Sequence, residues 1–399
     1  MESIEQMIKR LCPKGVEYVK LGEVCEIMRG KRLTKKELFD DAKYKVFHGG
    51  LSPIGFYTKY NRQAQTVMII NVGASAGTVG FCEEEFWSSD GCFCLSHNDS
   101  VIHPKYLYYY LAKHQISIQS RVRKAGIPTL DAGAVMDILI PLPPLEIQSR
   151  IVEVLDKMTT LTAELEAELE ARKQQYEYYR NKLLTFNEIW GGIRQVTWKR
   201  LGDLLYSIRT GLNPRKFFSL NTSDATNYYV TIKEFKGGNL VFGNNTDMIN
   251  DEAMRLCNNR SHLEEGDLLF SGTGTIGEVL IVKETPRNWN IKEGVYALKP
   301  KSEEIKVEYL KHIMQNPSVK AKLESISEGG TVKSISMKKL ADFVIPVPSM
   351  EEQSRIVSIL DRFEALTTDL QSGLPAEIEA RRQQYEYYRN KLLTFDQAV

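Results

Sequence analysis

The alternation of apolar and polar positions is most regular in the middle of the chain. Side chains recur there alternately four and three residues apart, at Ile151, Leu155, Met158, Thr162, Leu165, Leu169, Arg172, Tyr176, Tyr179 and Leu183. This spacing is the heptad seam of a coiled coil, and three tetrads follow one another from Leu161 to Arg172. The pattern predicts a helix over Leu145–Phe186, roughly 60 Å long at 1.5 Å per residue.

The helix belongs to an internal duplication. Three pairs of segments correspond: Glu170–Phe186 with Glu379–Phe395, Ile140–Val152 with Ile345–Val357, and Lys20–Glu23 with Arg200–Asp203. The first pair differs only in Lys173, which becomes Arg382. Self-similarity of this kind indicates one structural unit present in two copies. Each copy consists of a lobe, a proline-rich hinge and a long helix.

The second helix, Met350–Phe395, differs from the first in carrying four extra residues with the helix breakers Gly373 and Pro375. We expect a kink or loop there. The natural partner for one heptad helix is the other, in an antiparallel coiled coil. We therefore expect four segments: lobes over 1–144 and 191–349, and helices over 145–190 and 350–399.

The lobes combine short β-branched and aromatic runs with Gly, Asn and Asp turns. The runs predict strands at Val67–Asn71, Leu268–Phe270 and Phe343–Ile345, and helices over Pro104–Gln119 and Val307–Leu323. The expected fold class is therefore α+β (mixed α/β), with two lobes joined by two long antiparallel coiled-coil helices and an internal pseudo-two-fold repeat.

Basic and amide side chains in both lobes are candidates for DNA binding. Arg and Lys bind phosphates or guanine, and Asn binds adenine. In the first lobe the candidates are Arg29, Lys31, Arg32, Lys35, Lys36, His48, Lys59, Asn61 and Arg62. In the second lobe the stretch from Arg209 is taken to match the one from Arg29, and the candidates are Arg209, Asn213, Arg215, Lys216, Asn244, Asn245, Arg255 and Arg260. A charge run is also compatible with a simple solvated face.

The composition, 42% hydrophobic and 26% charged over 399 residues, is that of a globular protein with two or three domains. The net charge of +1 means that any DNA binding must come from local patches. Neither a signal peptide nor a run of about 18 apolar residues is recognisable, so a cytoplasmic protein without membrane contact is expected. In that compartment the six cysteines should be free thiols.

Three patterns resemble enzyme or metal motifs. Gly272–Gly277 matches G-x-G-x-x-G, but its expected counterpart Ser75–Gly80 loses the first glycine and keeps the last two, as a structural turn would. Asp224 with Glu234 and Lys236 fits a D…E-x-K nuclease pattern loosely, without a counterpart in the first lobe. A metal site is imaginable from Cys92, Cys94, His97 and His103, although a strand with buried thiols is the preferred interpretation. We therefore expect no catalytic residue and no metal.

Four motifs occur once in each half of the chain: the Leu-Gly-[Glu/Asp] opening, the G-T-[VI]-G turn, the I-P-[LV]-P…E-x-Q-x-x-I hinge and the helix end Gln-Gln-Tyr-Glu-Tyr-Tyr-Arg-Asn-Lys-Leu-Leu-Thr-Phe. Together they resemble type I restriction-modification specificity subunits over essentially the whole chain. The resemblance implies that each lobe is a target recognition domain reading half of a bipartite asymmetric site. It implies that the helices set the spacing of the lobes and dock two modification subunits, with two restriction subunits where these are present. S-adenosylmethionine, ATP and Mg are then expected in the partner subunits and not in this chain.

Two copies of one partner need two copies of one surface, so partner-binding residues are expected in the duplicated segments. The candidates are Gln148, Arg150, Tyr178 and Arg180, with Gln353, Arg355, Tyr387 and Arg389. For Tyr176 and Tyr179, which lie on the seam, packing inside the coiled coil is favoured. Two other classes stay open: a standalone bipartite DNA-binding or scaffold protein, and an enzyme acting through Gly274 or Glu234.

Overall fold

The computed structural model describes residues 2–186, 196–330, 332–369 and 372–398. The chain forms two compact units, one of Met1–Leu165 with Ile378–Val399 and one of Glu166–Glu377. Both long helical segments thus contribute to both units. The expected boundary at 190/191 lies outside the described residues, and the four-segment division stays a prediction.

The first lobe is built mainly from short strands. Its elements are α1 (Ile4–Leu11), β1 (Tyr18–Lys20), α2 (Leu21–Val24), β2 (Cys25–Arg29), β3 (Tyr44–Phe47), β4 (Gly55–Tyr57), β5 (Thr66–Ile70), β6 (Val79–Cys82), β7 (Trp87–Ser88), β8 (Cys92–His97), α3 (Pro104–Lys113), α4 (Gln115–Ser120), α5 (Ala132–Met136) and β9 (Leu139–Pro141). The long helix α6 (Leu145–Leu184) follows.

The second lobe has more elements. They are β10 (Thr197–Arg200), β11 (Leu205–Thr210), α7 (Pro214–Phe217), β12 (Asn227–Val230), β13 (Phe235–Lys236), β14 (Asn239–Leu240), β15 (Met248–Ile249), α8 (Asp251–Ser261), β16 (Leu268–Ser271), β17 (Val279–Ile281), β18 (Trp289–Ile291), β19 (Val295–Pro300), α9 (Val307–Gln315), α10 (Pro317–Ser325), α11 (Met337–Ala341) and β20 (Val344–Val347). The helices α12 (Met350–Thr368) and α13 (Leu374–Leu392) complete the chain.

The lobes share their sheet topology. An antiparallel sheet has the order β2-β8-β5-β6 in the first lobe and β11-β19-β16-β17 in the second. A smaller three-stranded sheet has the order β4-β3-β7 in the first lobe and β15-β12-β18 in the second, and each contains one parallel pair. At the hinge, β1 pairs with β9 in the first lobe and β10 pairs with β20 in the second. The α+β class and the internal repeat are therefore confirmed, and the repeat extends to the backbone of the lobes.

Strand alternation divides each core in two. In the first lobe, Phe93 and Leu95 of β8 face a core that also holds Ile151 and Leu155 of α6. Cys92 and Cys94 face the other side of the sheet, as neighbours on a strand must. In the second unit, Phe270 and Leu298 share a core with Leu183 and Leu360 of the long helices. The helices are thus part of the core in each unit.

The long helices agree with the prediction. Helix α6 runs without interruption for 40 residues, and the second helical segment breaks between Thr368 and Leu374. A Cβ on Gly373 would lie 2.6 Å from the Ala365 carbonyl oxygen. The break therefore needs a residue without a side chain.

The two shorter predicted helices are each divided in the structure. Pro317 lacks the N–H that would continue α9, and the Asn316 side chain instead caps the start of α10 by accepting from the Ser318 N–H at 2.9 Å. In the first lobe the division falls at His114, between α3 and α4. The prediction of single helices over these residues is wrong.

Candidate nucleic-acid interface

In the first lobe, the backbone after β2 crosses closely over β7. A Cβ placed on Gly30 would lie 2.1 Å from the Ser88 carbonyl oxygen, so only glycine fits. The crossing is held by the Lys31 N–H, which donates to the Ser88 oxygen at 3.0 Å. The Trp87 indole also donates to the Lys31 carbonyl at 2.7 Å. The basic run therefore begins from a fixed point.

The second lobe has the same crossing at Gly211, whose Cβ would lie 1.8 Å from the Ile291 carbonyl oxygen. Because Arg29 pairs with Phe93 and Thr210 pairs with Tyr296 in matching sheets, the residue that corresponds to Arg29 is Thr210. The expected match between Arg29 and Arg209 is therefore wrong by one residue. On a strand, a shift of one residue moves a side chain to the opposite face of the sheet, so Arg209 and Arg29 lie on opposite faces of their sheets.

Most basic candidates of the first lobe are open to solvent. They are Arg29, Lys31, Arg32, Lys35, Lys36 and Lys59. The first acid after the run, Glu37, accepts hydrogen bonds from the N–H and hydroxyl of Thr34, both at 2.8 Å. These bonds lower the pKa of Glu37. The carboxylate thus caps the short 3-10 helix Lys35–Glu37, on which the two lysines stay exposed.

Three further first-lobe candidates lie partly inside the protein. Asn61 accepts from the Ser88 N–H at 2.7 Å and donates to the Ser88 carbonyl at 2.9 Å. Both ends of its amide are therefore engaged, and its assignment to base reading is wrong. His48 is half-buried, with its Nδ1 atom 3.0 Å from the Ser89 hydroxyl and 3.3 Å from an Asp90 carboxylate oxygen.

Arg62 also points inward. Its guanidinium donates to the Asn61 carbonyl at 2.5 Å, and its Nε is buried without a hydrogen-bond partner among the described residues. Hydrogen bonding from Cys92, assisted by Ser88 and Arg62, lowers the pKa of the Cys94 thiol. Arg62 is thus a half-buried residue whose guanidinium bonds within the lobe, which argues against its assignment to DNA contact.

The second-lobe candidates lie on several separate elements. Arg215 and Lys216 are exposed on α7, and the Asn213 side chain caps that helix by accepting from the Arg215 N–H at 3.0 Å. Arg255 and Arg260 are exposed on α8. Asn244 and Asn245 are exposed between β14 and β15, and Arg209 is half-buried on β11.

The G-x-G-x-x-G motif forms the turn of the β16–β17 hairpin, not a strand-to-helix phosphate loop. Strand register and hydrogen bonds match Gly277 with Gly77 and Gly274 with Gly73, and all four have positive φ. The expected pairing with Ser75–Gly80 was therefore shifted. The structural turn itself is common to both lobes.

The nuclease-like and metal-like patterns also have structural explanations. Glu234 is buried and caps a 3-10 helix by accepting from the N–H and hydroxyl of Thr231, both at 2.8 Å. Cys92 and Cys94 face the opposite side of β8 from Phe93, Leu95 and thus His97. These arrangements do not assemble a catalytic or metal centre from the proposed residues.

The duplicated glutamines are buried, which contradicts their assignment to partner docking. The Gln148 amide accepts from the His103 N–H at 2.8 Å and donates to the carbonyls of Val101 and Pro143. Gln353 makes the same three bonds, to Lys306, Glu304 and Pro348. Each glutamine joins its hinge to the helix, and neither is exposed.

Other duplicated side chains remain on the surface. Tyr178 is 57% exposed and Tyr387 is 60% exposed. Arg150 pairs with Glu153, and Arg355 pairs with Glu352.

The tyrosines on the heptad seam pack inside the second unit. Tyr179 stacks on Phe363 with ring centroids 5.5 Å apart, and Tyr176 lies 6.3 Å from the same ring. Burial raises the pKa of Tyr176 to about 12. The packing role favoured for both is confirmed. Arg180 lies over the Tyr176 ring, and Arg389 lies over the Tyr385 ring.

One pair of polar contacts between lobe and helix was not foreseen. Asp156 of α6 accepts from the Tyr109 hydroxyl at 2.6 Å, and at the corresponding place Asp361 lies 2.8 Å from Nε2 of the buried His312. The sequence signal for these contacts is the Leu-Asp dipeptide that both duplicated helices contain, which places Asp156 and Asp361 at corresponding positions. Although His312, Asp361 and Glu364 could together ligate a metal ion, the Lys311 ammonium already pairs with Glu364 at 2.5 Å. This cluster is therefore an ion-pair network.

Within the part of the chain that the structure describes, no helix combines the length and apolarity needed to span a bilayer.

Comparison with known proteins gives consistent matches. The family model described as "Type I restriction modification DNA specificity domain" matches residues 13–172 and 195–380. A type I restriction enzyme EcoR124I/EcoR124II specificity subunit from Escherichia coli is 32% identical, with 99% of this chain and 98% of that protein covered. A putative type I specificity subunit from Haemophilus influenzae is 29% identical, covering 95% and 96%.

Two solved structures share the fold. One is a type I restriction-modification S subunit from M. genitalium, with a TM-score of 0.63, 17% identity and coverage of 95% of this chain and 96% of that one. The other comes from a study of complex assembly in a type I restriction-modification system, with a TM-score of 0.60, 17% identity and coverage of 96% and 98%. At this identity the likeness concerns the fold alone.

Proposed function

This chain belongs to the type I restriction-modification DNA specificity family, and from that membership we propose that its two lobes each read one half of a bipartite, asymmetric DNA site. It is a non-catalytic specificity subunit, and catalysis lies in its partner subunits. The proposal that the lobes read DNA while the helices serve both halves alike is supported by a contrast within the duplication. The two lobes have one sheet topology and different loop residues, whereas the two helix ends are almost identical.

For the first lobe, we place DNA against the exposed cations Arg29, Lys31, Arg32, Lys35, Lys36 and Lys59, with His48 at the edge of the patch. For the second lobe, the contacting residues are drawn from Arg209, Asn213, Arg215, Lys216, Asn244, Asn245, Arg255 and Arg260. Cations at a rigid backbone crossing suit phosphate positioning, and exposed asparagines suit base reading.

The helices act as a spacer and a docking surface in this proposal. Because α6 is continuous through the tetrads Leu161–Arg172, its length can fix the number of base pairs between the half-sites. Two modification subunits dock on the duplicated residues Arg150, Tyr178 and Arg180, and Arg355, Tyr387 and Arg389. Of these, Tyr178, Arg355 and Tyr387 are exposed, and Arg150, Arg180 and Arg389 are half-buried. Restriction subunits join the complex where they are present.

The chemistry is assigned to the partners. The modification subunits hold S-adenosylmethionine and methylate adenine N6, and the restriction subunits use ATP and Mg. The chain works in the cytoplasm, where its DNA and its partners are found. It requires no cofactor of its own in this scheme.

Co-expression with the cognate modification subunit, followed by purification and base-resolution mapping of methylated adenine, tests the proposal. We expect a stable complex that methylates one bipartite motif, and no methylation when this chain is omitted. A motif that persists without the chain would contradict the proposal. A chain that binds one site tightly alone and captures no modification subunit would instead favour a standalone DNA-binding protein.

A further inference from the structure

Each lobe carries a short loop of the same construction next to the glycine turn that the two lobes share. The first tip loop is Arg123–Thr129, and the second is Glu328–Ser334, in which Thr331 lies outside the described residues. Two reciprocal backbone hydrogen bonds close each base. They join Arg123 to Thr129 at 2.9 and 3.1 Å, and Glu328 to Ser334 at 2.8 and 2.7 Å.

The tip loops are fixed to the glycine turns by matching contacts. The Gly73 N–H donates to the Pro128 carbonyl, and the Gly274 N–H donates to the Lys333 carbonyl, both at 2.9 Å. The next residue in each lobe, Leu130 or Ile335, is buried and donates back to the turn. The base of each loop is therefore held against its glycine turn by backbone hydrogen bonds.

An apolar side chain is exposed at the corresponding position of both loops. Ile127 is 70% exposed and Val332 is 62% exposed. A single exposed apolar residue is ordinary on a protein surface. Its occurrence at the corresponding position of two loops with the same hydrogen bonds, on lobes whose other loops differ, calls for a function common to both lobes.

The tip loops adjoin the candidate nucleic-acid interface. In the first lobe, the turn that carries the loop bonds to the Gly91 carbonyl through the Asn71 N–H. Gly91 in turn lies against His48. In the second lobe, the Gly272 N–H donates to the Gly294 carbonyl, next to the crossing at Gly211.

Exposed cations lie beside both apolar tips, and the acid of the second tip loop, Glu328, is paired with the Lys339 ammonium at 2.7 Å. Arg123 and Lys124 are exposed in the first tip loop, and Lys333 is exposed in the second. Cations beside a protruding apolar residue suit a DNA duplex, in which phosphates border a groove lined by deoxyribose and base edges.

We propose that the two tip loops are sequence-independent DNA anchors, in which Ile127 and Val332 rest against the groove wall while Arg123, Lys124 and Lys333 contact phosphates. The inference rests on the proposed function of the lobes. Sequence independence follows because the loops share their geometry and apolar tip, whereas the lobes read different half-sites. The anchors set the depth and orientation of each lobe on the duplex and leave base choice to other residues.

The test uses the complete complex of this chain with its modification subunit. Fluorescence anisotropy measures binding to a short duplex with the methylated motif and to one with a scrambled motif. We expect the Ile127→Asn, Val332→Asn double variant to bind both duplexes about tenfold more weakly, with an unchanged methylation motif. Ile116→Asn, in a more exposed isoleucine of the first lobe, is the matched control and should bind as the original does.

A second variant tests the phosphate contacts. Arg123→Gln with Lys124→Gln should reduce the slope of log K against log salt by about two, or about one for each lost phosphate contact. An unchanged affinity and slope would overturn the inference.

Two other outcomes would overturn it in a different way. Loss of the modification subunit from the Ile127→Asn, Val332→Asn chain would make the loops a protein-docking surface. Weakening on the motif duplex alone, or a changed motif, would make them base readers. Failure of the original complex to methylate any motif would instead contradict the proposed function, so the two failures are distinguishable.

Discussion

The first and second lobes order their strands alike, β2-β8-β5-β6 in one and β11-β19-β16-β17 in the other, but the loops that leave those strands differ. Gly30 and Gly211 make the same crossing over a neighbouring strand. The following pair is Lys31 and Arg32 in the first lobe and Leu212 and Asn213 in the second. Helix α8 has no equivalent within residues 2–144. Backbone geometry constrains the scaffold residues strongly, whereas exposed loop residues are free to change with the DNA half-site.

The duplicated helices show the opposite relation. Glu170–Phe186 and Glu379–Phe395 are almost identical in sequence, yet α6 is continuous while the second segment divides into α12 and α13. The shared sequence and the unshared break fit the proposal above, in which docking uses the duplicated residues and spacing uses the uninterrupted helix.

The largest effect is expected from shortening α6. Deleting Leu165–Glu168 removes one tetrad, about 6 Å of helix, and should abolish methylation at the original site. A new motif should appear with the same half-sites and a different spacer, because the lobe residues are untouched. Base-resolution methylation mapping measures both. Altered half-site bases would contradict the separation of spacer from reader.

The crossing glycines test whether the lobes share a scaffold. Gly30→Ala and Gly211→Ala should each destabilise the chain by about 3 kcal/mol, since the new methyl would overlap a backbone carbonyl. Denaturant unfolding measures this change. Gly50→Ala and Gly243→Ala, which meet open space, are the matched controls. Equal stability of Gly30→Ala and Gly50→Ala would show that the crossing does not require glycine.

The exposed tyrosines test the docking surface. Tyr178→Ala with Tyr387→Ala should weaken capture of the modification subunit at least about tenfold, while unfolding changes by less than about 0.5 kcal/mol. Pull-down titration gives the first value and denaturant unfolding the second. Glu177→Ala with Glu386→Ala, exposed on the same helices, is the control. Unchanged capture would exclude these tyrosines from the interface.

The smallest effect concerns the contact between Asp361 and His312. The hydrogen bond from His312 lowers the pKa of Asp361, so its stabilisation is present above the unfolded pKa near 4 and is lost as pH falls through the folded pKa. Asp361→Asn should therefore cost about 1 kcal/mol or less at pH 7, because the carboxylate is partly exposed. It should cost nothing below the folded pKa. Unfolding from pH 3 to 7 measures this, with Glu351→Gln as the control; a pH-independent cost would contradict the pairing.

The helices were predictable because their signals are local. Heptad spacing placed α6 within two residues of its observed end, and Gly373 with Pro375 marked the break. Pro317 carries the same kind of local signal for the break between α9 and α10.

Site residues were harder to predict because they depend on partners distant in sequence. Duplication marks Gln148 and Gln353 as shared but does not distinguish a shared core from a shared surface. The bond from Asn61 to Ser88 spans 27 residues, and the match of Arg29 with Thr210 follows only from strand register. The sequence does not single out the tip loops, because Ile127 and Val332 become notable only when the exposure of their side chains is known.

The most direct test of the central claim exchanges one reader and keeps the rest. Residues 197–344 are replaced by the second lobe of a relative with another specificity, and methylated adenines are mapped in cells that carry the chimaera and the original modification subunit. The account predicts that one half of the motif changes while the other half and the spacer are retained. A chimaera that changes both halves, or neither, would contradict the assignment of one half-site to each lobe.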